Sequence, residues 1–327
     1  MPPQLILVIA LALVFDFLNG LHDSSNIVAT MISSRAFRPQ VALGITALAE
    51  FSGPFLFGVA VATTIGDEIV PASALTLEAI LACLMAAILW NLLTWFLGIP
   101  SSSSHGLIGG LIGAVAVGAG LGSVQLAGLE KVLIALFTSP LIGFVVGFLL
   151  TRLIFFLARG ASPRINDFFK RSQLLTALGL AFSHGTNDAQ KTMGIITLSL
   201  VIGGVLPAFH VPTWVVAASA GAIALGTSLG GWRLIKTLGG KFYKIRPVHS
   251  FSAQLSSALV IIAASLVGGP VSTTQVVSSA IMGVGSSERW GKVRWGVARD
   301  IVTAWFVTIP ATALISAGIY WLLTMAG

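Results

Sequence analysis

The sequence predicts an all-α polytopic membrane protein with two inverted-topology repeats of about five hydrophobic segments each, and with broken or re-entrant helices at its centre. Three observations predict this fold class: the composition, the run of apolar segments and motifs that occur twice. Of the 327 residues, 56% are hydrophobic and only 9% are charged, and the mean hydropathy is +0.96. Soluble domains contain about 25% charged residues. The chain has too few ionic groups to cover a surface in water, which makes the lipid bilayer its environment.

Long apolar segments recur along the chain, and most approach the length of about 20 residues that crosses a bilayer. They lack the alternating pattern of a membrane β-barrel, which favours helices over strands. The segments cover residues 4–34, 40–65, 76–98, 104–121 and 128–157 in the first half, and residues 172–203, 212–231, 250–268, 273–286 and 299–325 in the second.

Two motifs occur once in each half and in the same order. GLHDSSN at residues 20–26 is similar to GTNDAQK at 185–191, and GIPSSSSH at 98–105 is similar to GGPVSTTQ at 268–275. Inverted repeats with interrupted helices are typical of secondary transporters, whose sites lie near the bilayer midplane. We therefore predict an internal duplication: residues 1–160 as the first transmembrane repeat, 161–171 as a basic cytoplasmic linker and 172–327 as the second, inverted repeat.

The charged residues predict the orientation of the chain. Its 18 Lys and Arg against 11 Asp and Glu give a net charge of +7. With five segments per repeat, the basic loop residues fall on one side, and Lys131 alone falls on the other. Cytoplasmic loops are rich in Lys and Arg, so we expect a plasma (inner) membrane protein with both termini extracytoplasmic, and no nucleic-acid partner. The basic loop residues are Arg35, Arg38, Arg159, Arg164, Lys170, Arg171, Arg233, Lys236, Lys241, Lys244, Arg246, Arg289, Lys292 and Arg294.

The chain lacks the sequence patterns of several other classes. Its single cysteine, Cys83, excludes an intrachain disulfide. Neither a Walker loop nor a zinc-type motif occurs, and no nucleophile elbow is present. The N-terminus lacks a basic region before its apolar stretch, so we expect no removable signal peptide. We expect no enzyme activity and no resident cofactor.

Ionisable residues inside the apolar segments are the first candidates for function. A carboxylate at the bilayer midplane costs a few kcal/mol and marks a binding site, although a purely structural carboxylate is the alternative. Lys191 could balance an anionic substrate or pair with Asp188, and a histidine can relay protons near neutral pH. The candidates are Asp23 and Asp188, their neighbours His22, Asn26, Asn187 and Lys191, and His184, Glu50 and His105.

Hydroxyl residues follow Pro100 and Pro270 at matching positions of the two halves. Proline ends the preceding helix, and Ser or Thr then suits the first position of the next. A helix N-terminus offers free N–H groups to an anion, whereas close packing of helices on small residues is the alternative reading. The hydroxyl residues are Ser101, Ser102, Ser103, Ser104, Ser272, Thr273 and Thr274.

These motifs, together with FDFLNGLHD at residues 15–23 and SHGTNDAQKTMG at 183–194, resemble the inorganic phosphate transporter (PiT) family, especially its bacterial low-affinity members. The resemblance spans nearly the whole chain. It implies symport of inorganic phosphate with sodium or protons on an inverted-repeat fold that tends to form homodimers. By the resemblance, phosphate is expected at Asp23, Asn26, Ser103, Ser104, Asp188, Thr273 and Thr274; Asn187, Lys191 and Ser272 are added from their positions in the same motifs. The coupling cation is expected at Asp23, Asp188, Glu50, His22 and His184, with sodium placed at Asp23 and Asp188.

Several alternatives remain open at this point. Sodium-coupled eukaryotic relatives carry Glu where Gln254 stands, which weakens the case for a full sodium complement, while His22 leaves a proton route open. Carboxylates at an anion site require a bridging cation or a protonated substrate oxygen, which phosphate has and sulfate at neutral pH lacks. A sulfate or other oxyanion permease of the same fold is the first alternative. An intramembrane hydrolase that uses Ser, His and Asp is the second.

Overall fold

The computed structural model describes residues 2–33, 37–99, 101–162, 164–230 and 246–325, which form helices and no strand. Arg35, Arg233, Lys236, Lys241 and Lys244 lie outside these residues. The helices are α1 (Pro3–Ser33), α2 (Pro39–Ser52), α3 (Ala60–Thr63), α4 (Leu77–Leu97), α5 (Ser103–Gly118), α6 (Leu126–Leu157), α7 (Ile165–Ile202), α8 (Thr213–Leu229), α9 (Pro247–Leu266), α10 (Thr273–Glu288) and α11 (Trp295–Met325).

The all-helical membrane fold is confirmed. Within the described ranges, five helices are long and apolar enough to cross a membrane, and a bent pair makes a sixth. This is fewer than the ten apolar segments of the sequence, in part because α5 and α10 have only 16 residues each. Sixteen residues rise about 24 Å, which is short of the ~30 Å hydrocarbon core. Each of these two short helices follows a short non-helical segment, as expected for re-entrant segments.

The segment predicted at residues 40–65 is bent. Helix α2 ends where Gly53 and Pro54 begin a 3₁₀ turn, and the chain resumes as a helical stretch over residues 60–68 at an angle of 70°. Between the two parts Gly58 has φ +77°, a left-handed conformation that glycine adopts without strain. Proline and glycine therefore interrupt a segment that hydropathy alone predicts to be continuous.

Helix α7 begins at Ile165, within the segment predicted as a linker at residues 161–171. Its first turns are amphipathic: Phe169 packs on Phe251 of α9 with 5.4 Å between ring centroids. Most of this basic segment is therefore the start of a 38-residue helix. The division of the chain into two repeats remains a prediction.

Corresponding helices of the two halves pack on helices of the opposite half. Helix α5 packs along α11, and α10 packs along α6. A Cβ added at Gly113 would lie 2.1 Å from the Ala313 carbonyl oxygen, and one at Gly283 would lie 2.1 Å from that of Phe144. The short helix of each half thus rests backbone to backbone on the last helix of the other half, and this packing holds the starts of α5 and α10 against α1 and α7.

Candidate functional site

The site begins where two helices start. Gly98 and Gly268, with φ values of +69° and +73°, lie in the two short non-helical segments that precede α5 and α10. Ser102 then accepts a hydrogen bond from the backbone N–H of His105 (3.2 Å), and Ser272 accepts one from that of Gln275 (3.3 Å). Each serine caps the N-terminus of its helix, as the sequence predicts.

The two helix starts meet inside the protein. Ser104 donates a hydrogen bond from its hydroxyl to the Val271 carbonyl oxygen over 3.0 Å. The Gln275 side-chain nitrogen lies 3.3 Å from Nε2 of His105. Because the partial positive ends of both helix dipoles converge here, the region favours an anion.

The two aspartates of the repeated motif lie at the same point. The Thr273 hydroxyl is 3.1 Å from Oδ2 of Asp23 and 3.0 Å from Oδ2 of Asp188. Thr274 donates a 2.8 Å hydrogen bond to Oδ1 of Asp23. The start of α10 therefore connects the centres of α1 and α7, although the aspartates are 165 residues apart in sequence.

His184 joins three carboxylates. Its Nδ1 lies 2.7 Å from Oε1 of Glu50, and its Nε2 lies 3.1 Å from Oδ2 of Asp188 and 3.5 Å from Oδ2 of Asp23. On the opposite side of Asp23, Nδ1 of His22 lies 3.1 Å from Oδ1. Both ring nitrogens of His184 face acceptors, an arrangement that is satisfied when the ring or one of the carboxyl groups carries an additional proton.

Lys191 connects the carboxylates to the helix starts. Its Nζ pairs with Oδ1 of Asp188 and donates hydrogen bonds to the Ser104 hydroxyl (2.6 Å) and to the Val271 carbonyl oxygen (2.9 Å). The structure thus shows the pairing with Asp188 that the sequence leaves open. The ammonium group also lies beside Ser104, where it could face an anion.

The cluster has the composition of a cation site. Ligand atoms of Asp23, His184 and Asp188 all lie within 4.8 Å of one another, and all three side chains are buried. Carboxylate and hydroxyl oxygens suit a hard cation. The cluster has three carboxylates, with Glu50 included, against the one ammonium group of Lys191, so this part of the molecule is net acidic unless a cation or protons are bound.

Comparison with known proteins decides the family of the chain. The model of the phosphate transporter family matches residues 19–316. The chain belongs to this family.

Relatives of the chain carry corresponding descriptions. A probable low-affinity inorganic phosphate transporter of Bacillus subtilis (strain 168) is 45% identical over 326 residues, 98% of this chain and 97% of that protein. One of Rhizobium meliloti (strain 1021) is 47% identical over 320 residues, 97% and 96% of the two chains. The solved structure of a sodium-dependent phosphate transporter has a TM-score of 0.90 at 25% identity and covers 98% of this chain and 99% of its own. The family resemblance of the four motifs is confirmed.

The three other predicted site residues of this family member are Asn187, Ser103 and Asn26. Asn187 donates to the Ser265 hydroxyl (2.8 Å) and accepts from the Val271 backbone N–H (3.2 Å), so it holds the segment before α10 in place. Ser103 is buried at the start of α5. The side chain of Asn26 lies outside the described part of the structure. The assignment of individual residues to phosphate or cation remains a prediction.

Sequence reasoning missed Asn19, which donates a hydrogen bond to Oδ2 of Asp188 over 3.4 Å. Its position one helical turn before Asp23, on the same face of the helix, would have indicated that it lies near the site. It also missed Asp16, an acidic residue in an otherwise apolar run. Both side chains are fully buried.

The family consists of transporters, which agrees with the expectation that the chain is not an enzyme. The hydrolase alternative rests on Ser, His and Asp, and Nδ1 of His105 does lie 2.7 Å from the Ser102 hydroxyl. That hydroxyl caps α5, and the side chain next to the ring is Gln275 in place of a carboxylate. Within the part of the chain that the structure describes, the pair thus lacks the acidic partner of a catalytic triad.

Proposed function

We propose that this protein is a secondary active transporter that imports inorganic phosphate across the plasma membrane by cation symport with alternating access. The observation that carries the proposal is the contact of Thr273 with both Asp23 and Asp188, at the point where two helix N-termini converge. This arrangement combines donors for an anion with oxygen ligands for a cation in one buried place.

The acidic character of the cluster supports symport over uniport. An anion that approaches Asp23 and Asp188 is repelled unless a cation bridges the charges or a substrate oxygen carries a proton. Phosphate near neutral pH retains a proton that it can donate to a carboxylate, whereas sulfate does not. The site therefore favours phosphate together with a cation.

The burial of the site supports alternating access. Asp23, Asp188 and Thr273 are each at most 2% exposed, so phosphate in solution cannot reach them without a rearrangement of the helices. Two repeats of opposite orientation could exchange conformations and open one central site to each side in turn. The positive-inside pattern supports extracytoplasmic termini, and the family resemblance supports a homodimer.

Uptake of radiolabelled phosphate into proteoliposomes tests this function. Sodium and proton gradients are imposed separately, and sulfate and arsenate are added as competitors. We expect gradient-driven phosphate uptake that arsenate inhibits more than sulfate. Uptake under neither gradient by folded protein would contradict the transporter, and stronger inhibition by sulfate would favour the sulfate alternative.

The variants Asp23→Asn and Asp188→Asn test the site itself. Asparagine keeps the shape of the side chain but cannot carry the charge that holds a cation, so we expect phosphate uptake to be abolished in each variant. The measurement is initial uptake at matched protein per liposome, with Asp67→Asn, at an exposed carboxylate, as the control. A near-normal rate in either variant would remove that aspartate from the site.

A further inference from the structure

Asp16 is a buried carboxylate that the proposed site does not use. Its side chain is fully buried in α1, two helical turns before Asp23. Among the residues that the structure describes, neither of its carboxylate oxygens has a hydrogen-bond partner. A bare carboxylate is costly inside a protein and more so inside a membrane, so this group requires a ligand or a proton.

Two further oxygen atoms without partners accompany Asp16. Asn19 follows one turn later on the same face of α1; its amide nitrogen donates to Asp188, but its Oδ1 has no partner within the described residues. The Thr192 hydroxyl of α7 faces Asp16 and, within the same residues, is also unpartnered. Three neighbouring groups thus have unused hydrogen-bonding capacity in one buried place.

The antiparallel contact of α1 and α7 connects this place to the carboxylate cluster. His184 lies beside Asp23, Asp188 lies beside Asn19, and Thr192 lies beside Asp16. The contacts advance by about one turn on each helix, in opposite directions. Asp16 is therefore the end of a polar strip that begins at the proposed phosphate site.

Beyond Asp16, towards the start of the chain, the buried residues of α1 are apolar. Ala12, Val8 and Leu5 of α1 are fully buried, as is Ile195 of α7. The two helices remain in contact as far as Gly203, where an added Cβ would lie 2.9 Å from the Leu5 side chain. On its other side, Asp16 is connected along α1 through Asn19 to Asp188, that is, to the proposed phosphate site.

The charged and titratable groups around Asp16 lie mainly on α7. They are Asp188, Lys191 and His184. Of the other helices packed on α1, α8 has no titratable side chain, α2 has Glu50 beside His184, α9 has His249, α10 has Glu288 at its end, and α4 has Glu78 in its first turn and Cys83. Lys191 pairs with Asp188, so Asp16 has no cation of its own among these groups.

A proton satisfies this arrangement better than a metal ion does. A protonated Asp16 can donate its O–H to Oδ1 of Asn19 and accept the Thr192 hydroxyl on its carbonyl oxygen, so all three groups gain a partner. Hard cations held by oxygen ligands, such as Mg²⁺ and Ca²⁺, take about six or more of them, and the side chains of Asp16, Asn19 and Thr192 supply four. Protonation also removes the cost of the buried charge.

We propose that Asp16 is a proton-binding site that is loaded and emptied through the phosphate site, and that it carries one proton with each phosphate. One carboxylate oxygen of Asp16 takes a proton from water on the extracytoplasmic side and forms an O–H bond. That bond breaks when the site opens to the cytoplasm, and the proton passes to water there. This inference rests on the phosphate symport proposed above and assigns one of its coupling ions.

The test compares wild-type protein with Asp16→Asn in proteoliposomes. Exchange of labelled for unlabelled phosphate without any gradient reports the transport cycle, and a pH-sensitive dye reports proton entry. We expect Asp16→Asn, which imitates the protonated acid, to retain exchange while the number of protons per phosphate falls by about one. Under a gradient of one pH unit, the accumulation of phosphate then falls about tenfold. Asp16→Glu is expected to restore coupling, and Asp67→Asn to leave it unchanged.

The outcomes separate the two proposals. Wild-type protein that exchanges no phosphate contradicts the transport function itself. If the wild-type protein exchanges phosphate but Asp16→Asn moves the same number of protons per phosphate, the assignment of Asp16 is contradicted. It is also contradicted if Asp16→Asn loses sodium-driven accumulation of phosphate and keeps proton-driven accumulation.

A second variant keeps the proposal testable if Asp16→Asn does not fold. Thr192→Val removes the hydroxyl that faces Asp16 and preserves the volume of the side chain. We expect fewer protons to move with each phosphate, because the protonated carboxyl loses the hydroxyl that donates to its carbonyl oxygen. An unchanged number of protons per phosphate in folded Thr192→Val contradicts the proposal.

Discussion

Thr273 joins the two carboxylates on which the proposed site depends. A hydroxyl carries one proton, so Thr273 can donate to Asp23 or to Asp188 but not to both at once. The carboxylate oxygen that receives no proton is then stabilised by a cation, by a proton of its own or by a donor on the substrate. In the proposed symport, this one side chain therefore links the binding of a cation to the binding of phosphate.

We predict that Thr273→Val lowers phosphate uptake at least about tenfold, because hydrogen bonds to charged groups contribute about 1.5–3 kcal/mol. Thr273→Ser keeps the hydroxyl and is expected to retain most of the rate. The measurement is initial uptake in proteoliposomes. Thr138→Val is the matched control, since the Thr138 hydroxyl is exposed and donates only to its own helix backbone. Equal rates for Thr273→Val and the control would contradict the role of this hydroxyl.

Lys191 is a buried cation with three partners, and its removal leaves Asp188 without its counter-charge. Breaking a buried ion pair from one side costs about 3–5 kcal/mol. We predict that Lys191→Gln lowers the melting temperature in detergent and abolishes uptake. The double variant Lys191→Gln, Asp188→Asn is expected to recover stability but not uptake. Additive losses of stability in the double variant would show that the two side chains are not coupled.

At the scale of the helices, glycines determine how closely the elements approach the site. A Cβ added at Gly185 of α7 would lie 2.3 Å from the Glu50 carbonyl oxygen of α2. Gly20, the matching residue of the other motif, faces the Ile223 carbonyl oxygen of α8 at 2.1 Å. In both motifs the glycine three residues before the aspartate lets a neighbouring helix touch the backbone.

We predict that Gly185→Ala destabilises the protein by about 1–3 kcal/mol, because the added methyl group forces α2 away from α7. The displacement moves Glu50 relative to His184, so uptake is expected to fall as well. Gly44→Ala is the control on α2: its added Cβ meets nothing within 4 Å, and the helix gains about 0.5–1 kcal/mol. Thermal unfolding in detergent measures both variants, and equal melting temperatures would contradict the contact.

Sequence periodicity and motifs predict elements better than they predict contacts. The proline and serine pattern predicts the caps at Ser102 and Ser272, because capping is local and depends on a few adjacent residues. Hydropathy misses the bend after Ser52, since the residues on both sides of it are equally apolar. The proximity of Glu50 to His184 depends on the packing of α2 against α7, and no signal within either segment specifies it.

At the scale of the whole molecule, the two halves have matching parts that pack on each other. Helix α5 of the first half rests on α11, and α10 of the second half rests on α6. Pro140 in α6 and Pro310 in α11 occupy equivalent positions within these long helices. Each half therefore contributes the N-terminus of one short helix to the site. Its last long helix supports the short helix of the other half. Movement of one half then displaces donors and carboxylates together.

If the two halves are inverted, as the sequence predicts, the side of the membrane that each loop faces follows. Gly122 and Gly291 lie in short 3₁₀ turns just before α6 and α11, at nearly equivalent positions, and an added Cβ meets nothing within 4 Å at either one. We predict that an impermeant maleimide labels Gly122→Cys in intact cells but labels Gly291→Cys only after permeabilisation. The unmodified chain is the control, because its single cysteine, Cys83, is buried. Labelling of both variants from the same side would mean parallel halves, and a parallel pair could not present one site alternately to opposite sides by exchanging conformations.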